Sequence, residues 1–129
     1  MEVKAAIDTC SYLDFSRGNM VLAMRLEGCD ELYVPFIVAA ELRCGFCLAK
    51  TPEREASLFS AFLTRPGVAV LYADSDTPRH YADLWLQLRR AGQPIPQNDL
   101  WIAALAVQHG LVLFTQDRHF DVVAQLQRA

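Results

Sequence analysis

The stretch from residue 100 to residue 107 contains no polar side chain, and this feature constrains the fold more than any other. A helix that is apolar on every side belongs in the interior of a domain. Gly110 follows as a helix stop, and residues 111–115 then form a short, almost wholly apolar segment of the kind that is buried in a parallel sheet. The sequence therefore places a buried helix directly before a buried strand.

Short apolar segments alternate with helical patterns along the rest of the chain. Strands are predicted at residues 3–7, 32–34, 68–72 and 111–115, and helices at residues 12–15, 19–27, 36–48, 51–65, 78–90, 98–109 and 121–126. This alternation predicts a three-layer α/β/α fold with a central parallel sheet and right-handed crossovers. With 129 residues the chain can bury one full core, so we expect a single domain over residues 1–129.

Composition narrows the class of protein further. Hydrophobic residues make up 53% and charged residues 21%, which is typical of a globular chain. No apolar run is long enough to cross a membrane and the first residues lack a signal-peptide pattern, so we expect no membrane partner and a cytoplasmic location. The four cysteines are expected to be reduced, and the pair Cys44 and Cys47 is expected to pack in the core rather than to serve redox or zinc chemistry.

Four acidic residues occupy positions that a parallel α/β fold brings together. Asp8 and Asp117 each follow a predicted strand, so both lie at the carboxyl edge of the sheet, where open α/β sheets place their sites. Asp99 opens the buried helix, with Asn98 as its predicted N-cap. Asp8 has an equally good alternative as the N-cap of the helix that follows it.

Glu41 is the fourth acid, and it lies within the predicted helix at 36–48. Ile37, Glu41, Cys44 and Leu48 recur at helical spacing, which predicts that Glu41 lies on a buried stripe. A buried charge is costly unless it is paired or bound to a metal. The alternative is a carboxylate at the edge of the stripe that reaches water.

Four converging carboxylates repel one another unless a hard divalent cation binds them. Oxygen ligands without a clustered histidine or cysteine suit Mg²⁺ or Mn²⁺. Sites of this kind, with one or two ions, clamp a phosphodiester and convert bound water to hydroxide. The net charge of −3 disfavours a nucleic-acid partner, but these four acids account for more than all of it. The acids therefore predict a metal site compatible with cleavage of a nucleic acid.

Four segments carry a resemblance to a known family: Ile-Asp-Thr-Cys-Ser at 7–11, Val-Ala-Ala-Glu-Leu-Arg-Cys-Gly at 38–45, Asn-Asp-Leu-Trp-Ile-Ala-Ala at 98–104 and Phe-Thr-Gln-Asp-Arg-His-Phe at 114–120. In this order they resemble PIN domains, and among these the VapC-type toxins of type II toxin–antitoxin modules. The resemblance implies a metal-dependent endoribonuclease with RNA as substrate and an antitoxin protein as partner. It implies catalytic and metal-binding roles for Asp8, Glu41, Asp99 and Asp117, supported by Thr115, Asn98 and Thr9.

Two positions depart from the family pattern, and both bear on the expected structure. Cys10 stands where the family usually has Asn or Ser, which alters the surroundings of the acids. The chain reaches Ala129 without the usual apolar segment for a last strand, which leaves the final edge of the sheet open.

Three further expectations concern rival functions and assembly. A phosphoacceptor receiver domain needs a lysine after its last strand, and Lys4 and Lys50 are both elsewhere. A catalytically inactive PIN scaffold is the remaining alternative. A homodimer is expected from two aromatic surfaces, formed by Phe59, Phe62 and Leu63 and by Tyr81 and Trp85.

Overall fold

The structure is a computed structural model that describes residues 2–129, and within these residues it contains five strands, six α-helices and one 3₁₀ helix. The strands β1–β5 span Lys4–Ile7, Glu31–Pro35, Val68–Leu71, Val112–Phe114 and Gln127–Arg128. The helices α1–α6 span Thr9–Ser16, Met20–Glu27, Phe36–Cys47, Pro52–Leu63, Thr77–Arg90 and Gln97–His109. The 3₁₀ helix spans Arg118–Val122.

All strand pairs in the sheet are parallel, and the order is β3-β2-β1-β4-β5. The central strand β1 pairs with β2 on one side and with β4 on the other, and Ala5, Ala6 and Ile7 are fully buried. The chain leaves β1 toward β2 and returns later to β4, so the strand order reverses at β1. The crevice beyond such a switch point is where open α/β sheets bind ligands. The predicted α/β fold with a central parallel sheet is confirmed.

The predicted core helix is α6. Leu100 and the residues from Ile102 to Ala106 are buried, while the ring of Trp101 packs against Tyr81 of α5 at an angle of 32°, with ring centroids 4.0 Å apart. Gly110 ends the helix in the left-handed conformation, with φ 64°, as the sequence predicted for a helix stop. This buried helix fixes the position of its own first turn, which carries Asp99.

The predicted buried face of α3 is wrong. Val38, Leu42 and Phe46 point into the core, whereas Cys44 is exposed and Leu48, just past the helix, is 91% exposed. The helix is apolar on nearly all sides, so periodicity did not select the face. Glu41 therefore lies beside the buried stripe and is half-buried.

The prediction for the cysteines is also partly wrong, because the buried face of α3 is not the predicted one. All four are free thiols, as expected, but Cys44 and Cys47 are both exposed on α3 and do not pack in the core. In the part of the chain that the structure describes, none of the helices has the length and apolar character needed to span a membrane.

Two predicted helix starts also differ from the structure. The helix α1 begins directly after Asp8 rather than at residue 12, which brings Thr9 and Cys10 into its first turn. The predicted N-cap Asn98 is wrong, because Pro96 is the N-cap of α6 and its carbonyl accepts the first helical hydrogen bond, from Leu100 N at 3.0 Å. Asn98 is instead an exposed residue of the first turn.

The carboxyl-terminal helix predicted at residues 121–126 is wrong as well. A 3₁₀ helix ends at Val122, and the final edge strand left open by the sequence is present as β5, which pairs Gln127 with Val112 and Arg128 with Leu113. Both residues of β5 are polar and exposed. Polar edge strands resist pairing with other chains, and they lack the apolar pattern that signals a strand.

One of the two aromatic surfaces expected to support a homodimer is part of the core. Phe59 and Phe62 are buried and pack edge-on against Tyr12, each with ring centroids 5.2 Å apart. The second surface remains available, since Trp85 is exposed on α5. The homodimer therefore stays a prediction that rests on Tyr81 and Trp85.

Gly67, which leads into β3, gives a test of the packing at this sheet edge. Its φ is +79°, and an added Cβ would lie 2.7 Å from the backbone oxygen of Asp30. Gly92 is a matched control with φ +68°, where no atom of residues 2–129 lies within 4 Å of an added Cβ. Gly92→Ala should lower the free energy of unfolding by about 1–2 kcal/mol through left-handed strain. Gly67→Ala should cost at least about 1 kcal/mol more, because backbone must also move. Equal losses in urea unfolding would contradict this packing.

Candidate active site

Asp8 lies where β1 passes into α1, and its carboxylate joins two elements. One oxygen, Oδ1, accepts a hydrogen bond from the backbone N–H of Ser11 at 2.8 Å, so Asp8 is the N-cap of α1. The other oxygen, Oδ2, accepts from the hydroxyl of Thr115 at 2.5 Å. The side chain is held by both bonds in a position that is only 5% exposed. The two sequence alternatives for Asp8, cap and edge acid, are thus compatible.

Thr115 connects the carboxyl ends of the two central strands. Its hydroxyl donates to Asp8 and accepts from the backbone N–H of Asp117 at 3.0 Å. The backbone N–H of Asp8 also donates to the carbonyl of Phe114 at 3.2 Å. Since a hydroxyl can donate and accept at once, one threonine fixes the relative position of two acids. The supporting role expected for Thr115 stays a prediction, which these two hydrogen bonds make specific.

Glu41 is linked by a hydrogen bond to Thr9, the residue after Asp8. The hydroxyl of Thr9, in the first turn of α1, donates to Glu41 Oε1 at 2.9 Å. This bond joins α1 to α3 and holds the half-buried carboxylate toward the start of α1. The Thr9 hydroxyl therefore donates to Glu41 in the same way that the Thr115 hydroxyl donates to Asp8.

Asp99 and Asp117 meet through His119, which sequence reasoning had not singled out. The imidazole Nδ1 lies 2.8 Å from Asp99 Oδ2 and 3.2 Å from Asp117 Oδ1. The side chains of Asp99, Asp117 and His119 are 17%, 34% and 53% exposed. In the sequence, His119 is marked only by its place in the segment at 114–120, two residues after Asp117. Its proximity to Asp99 depends on the 3₁₀ helix and could not be read from the sequence.

The surroundings of Cys10 show that all four acids converge. Burial raises the pKa of the Cys10 thiol, and repulsion by Asp8, Asp117, Glu41 and Asp99 raises that pKa further. The contacts agree with this, because Asp8 caps α1, Thr9 of its first turn bonds Glu41, Thr115 bonds Asp8 and the backbone of Asp117, and His119 contacts both Asp117 and Asp99.

The carboxylates also affect one another. Burial raises the pKa of Asp99, the hydrogen bond from His119 lowers it, and the charges of Asp117 and Glu41 raise it again. The net effect on the pKa of Asp99 is upward, so the folded protein disfavours the ionised form of this acid. Four acids held together in this way create a strongly negative site that a cation would relieve.

The donor set fits a small divalent cation. Asp99, Asp117 and His119 can each present one ligand atom, and these atoms lie within 4.8 Å of one another. Carboxylate oxygens are the ligands preferred by Mg²⁺ and Mn²⁺, and imidazole is a common ligand of transition metals. The sequence predicts oxygen ligands without a clustered histidine, and the structure places His119 beside two of the acids.

A groove of about 580 Å³ opens beside the acids, between α1, α3 and α4. Thr9 and Glu41 form the part of its wall that belongs to the acid site, and Arg17 and Arg54 line it as well. The remaining wall is mainly apolar, with Leu13, Leu42, Phe46 and Leu58 among its residues.

The acids lie at the carboxyl edge of a parallel sheet, near the point where the strand order reverses. The fold and the site together define an α/β protein with an acidic ligand site. The chain belongs to the PIN domain family, whose model matches residues 7–126. Ribonuclease VapC5 of Mycobacterium tuberculosis is 33% identical over 91 residues, covering 70% of this chain and 67% of that protein. Ribonuclease VapC1 of Haemophilus influenzae is 33% identical over 99 residues, covering 76% of this chain and 72% of that protein.

Solved structures give the same fold. VapBC-1 from nontypeable Haemophilus influenzae superposes with a TM-score of 0.85 and 28% identity, covering 97% of this chain and 96% of that chain. VapBC2 from Rickettsia felis, solved with a DNA fragment from its promoter, gives a TM-score of 0.86 at 22% identity, with the same coverage. At 22% identity, the similarity to the Rickettsia felis structure shows a shared fold only.

Thr115 supplies a test of how the acids are held. Thr115→Val should lower the free energy of unfolding by about 1–3 kcal/mol, because Asp8 Oδ2 and the N–H of Asp117 lose their shared hydroxyl partner. Thr115→Ser keeps the hydroxyl and should lose less than about 1 kcal/mol. Chemical denaturation of the two variants measures the difference, and equal stabilities would show that the hydroxyl does not hold the site.

Proposed function

We propose that this protein is an endoribonuclease that hydrolyses RNA phosphodiester bonds with the help of Mg²⁺ or Mn²⁺. The observation that carries the proposal is the convergence of four carboxylates around the start of α1, where contacts through Thr9, Thr115 and His119 link them. Membership of the PIN domain family and similarity to proteins named ribonucleases support it. The alternative is a PIN-fold scaffold without catalytic activity, which would have no need to hold four mutually repelling acids.

The roles of the acids follow from their positions. Asp8, Glu41, Asp99 and Asp117 would hold the cation on the rim of the sheet. When bound, a divalent cation neutralises charge on the scissile phosphate and lowers the pKa of bound water. The protein's own contribution is to keep the four oxygen donors aligned before substrate arrives.

Neighbouring hydroxyl groups keep the acids in place. Thr115 fixes Asp8 relative to Asp117, and Thr9 fixes Glu41. Asn98 is exposed beside Asp99 and remains a candidate contact for substrate. Such supporting bonds matter because small displacements of catalytic groups reduce rates steeply.

The groove beside Glu41 offers a path for the RNA backbone. Arg17 and Arg54 line this groove, although the protein as a whole has a net charge of −3. Arginine side chains contact phosphates in most nucleic-acid complexes and position the strand without reading its sequence. We therefore place the phosphates next to the scissile one along this groove.

We further propose that the protein acts in the cytoplasm as the toxin of a type II toxin–antitoxin pair, restrained by an antitoxin protein. Support comes from the VapBC complexes that share its fold. A homodimer through Tyr81 and Trp85 is part of the same proposal. Light scattering checks it, since a dimer has twice the 14.5 kDa mass of the chain, and a monomer would contradict it.

The central test neutralises one acid. Asp99→Asn keeps the shape of the side chain but removes the charge that a cation requires, so cleavage of single-stranded RNA should fall by at least about 100-fold. Asp83→Asn is the matched control, because this exposed carboxylate on α5 makes only a 3.8 Å ion pair with Arg79. A chelator should abolish wild-type cleavage, and added Mg²⁺ or Mn²⁺ should restore it.

Circular dichroism on the same samples checks that both variants are folded. A folded Asp99→Asn variant that cleaves RNA as fast as the control would contradict the four-acid mechanism. A wild-type protein that cleaves no RNA with either metal would favour the inactive scaffold.

A further inference from the structure

His119 contacts two of the four acids, although the proposed site needs only the carboxylates themselves to bind a cation. Its ring nitrogen Nδ1 faces Asp99 and Asp117 at once, at 2.8 and 3.2 Å. The histidine is also firmly placed: its backbone N–H donates to Asp117 Oδ1 at 2.9 Å, and the next residue, Phe120, is buried in the core. The 3₁₀ helix therefore presents the imidazole to the acids from a fixed backbone position.

These distances match the spacing of neighbouring ligands on one small cation. Ligand atoms at about 2.1 Å from an octahedral ion, and at right angles to each other, are about 3.0 Å apart. The two measured separations lie on either side of this value. The three ligand atoms lie within 4.8 Å of one another, so an ion between Nδ1 and the two carboxylate oxygens would replace the present contacts of His119.

Charge favours a neutral ligand at this position. Asp8, Glu41, Asp99 and Asp117 together carry more negative charge than one divalent cation neutralises. A further carboxylate would add to this excess of negative charge. A neutral imidazole instead supplies a lone pair without adding charge. To bind a metal through Nδ1, the proton that bonds Asp99 in the metal-free protein would have to lie on Nε2 instead.

We propose that His119 Nδ1 is a ligand of the divalent cation, which makes this a mixed nitrogen–oxygen site that prefers Mn²⁺ to Mg²⁺. The inference rests on the proposed function, because it requires that the acids bind a metal. It adds the chemical preference of the site: imidazole binds transition metals well, whereas Mg²⁺ prefers oxygen ligands and retains its water.

Direct metal binding tests this assignment without an activity assay. Mn²⁺ is titrated into the metal-free protein and followed by electron paramagnetic resonance, with Mg²⁺ as competitor. Pulsed measurements on the bound Mn²⁺ then report whether a ¹⁴N nucleus of an imidazole is coordinated. The wild type is compared with His119→Ala and with His80→Ala as the matched control, since His80 also lies beside an acid, Asp76, at 3.5 Å.

We expect coordinated ¹⁴N in the wild type and in His80→Ala, and none in His119→Ala. The affinity for Mn²⁺ should fall at least about tenfold in His119→Ala, since losing even an outer partner of a metal ligand costs that much. The affinity for Mg²⁺ should fall less. The wild-type spectrum decides the question even if a variant fails to fold.

Two results would overturn the assignment in different ways. Tight Mn²⁺ binding without a ¹⁴N signal, unchanged in His119→Ala, would leave the metal site intact and reduce His119 to a hydrogen-bond donor between two carboxylates. Failure of the wild type to bind either Mn²⁺ or Mg²⁺ would overturn the proposed metal-dependent function together with this inference.

Discussion

Repulsion among four carboxylates at one edge of the sheet is the constraint on which the rest of this structure depends. Like charges that are close together and partly removed from water oppose folding. The raised pKa of Asp99 expresses this directly, because burial and the charges of Asp117 and Glu41 act against its ionisation. The protein therefore has to hold its acids in place against a force that separates them.

The fold meets this constraint by attaching each acid to a rigid element and giving each a donor. The central strands fix Asp8 and Asp117, and the buried helix α6 fixes Asp99. Hydroxyl and backbone donors then restrain the side chains of Asp8 and Glu41, and Thr115, which donates to Asp8, also accepts from the backbone N–H of Asp117. The bond between Thr115 and Asp8 joins residues 107 positions apart in the sequence, so the acids are held together only in the folded chain.

Much of this arrangement could be predicted from the sequence because it follows from buried elements. An apolar strand that ends on an acid fixes Asp8 and Asp117 at the same edge, and a helix that is apolar all round fixes Asp99 at its start. What could not be predicted depends on choices that apolar patterns do not make. Glu41 was assigned to the wrong face because α3 offers several apolar stripes.

Other errors have similar physical causes. β5 is polar, so it lacks the signal of a buried strand, and its pairing with β4 exists only in the folded chain. Asn98 has the residue type of an N-cap, but the helix begins at Gln97, so Pro96, with a non-helical ψ of 148°, is the N-cap. His119 reaches Asp99 only through the turn after Asp117, a tertiary contact that separations along the sequence do not reveal.

Unfolding free energy, measured with and without a divalent cation, tests the central claim most directly. If the acids are placed for binding at the expense of stability, the metal-free Asp99→Asn variant should be at least as stable as the wild type, because it removes a charge that the fold disfavours. Added Mg²⁺ or Mn²⁺ should then stabilise the wild type, through binding to the folded state, far more than the variant. A variant that is less stable without metal, and that gains as much as the wild type when metal is added, would contradict the account.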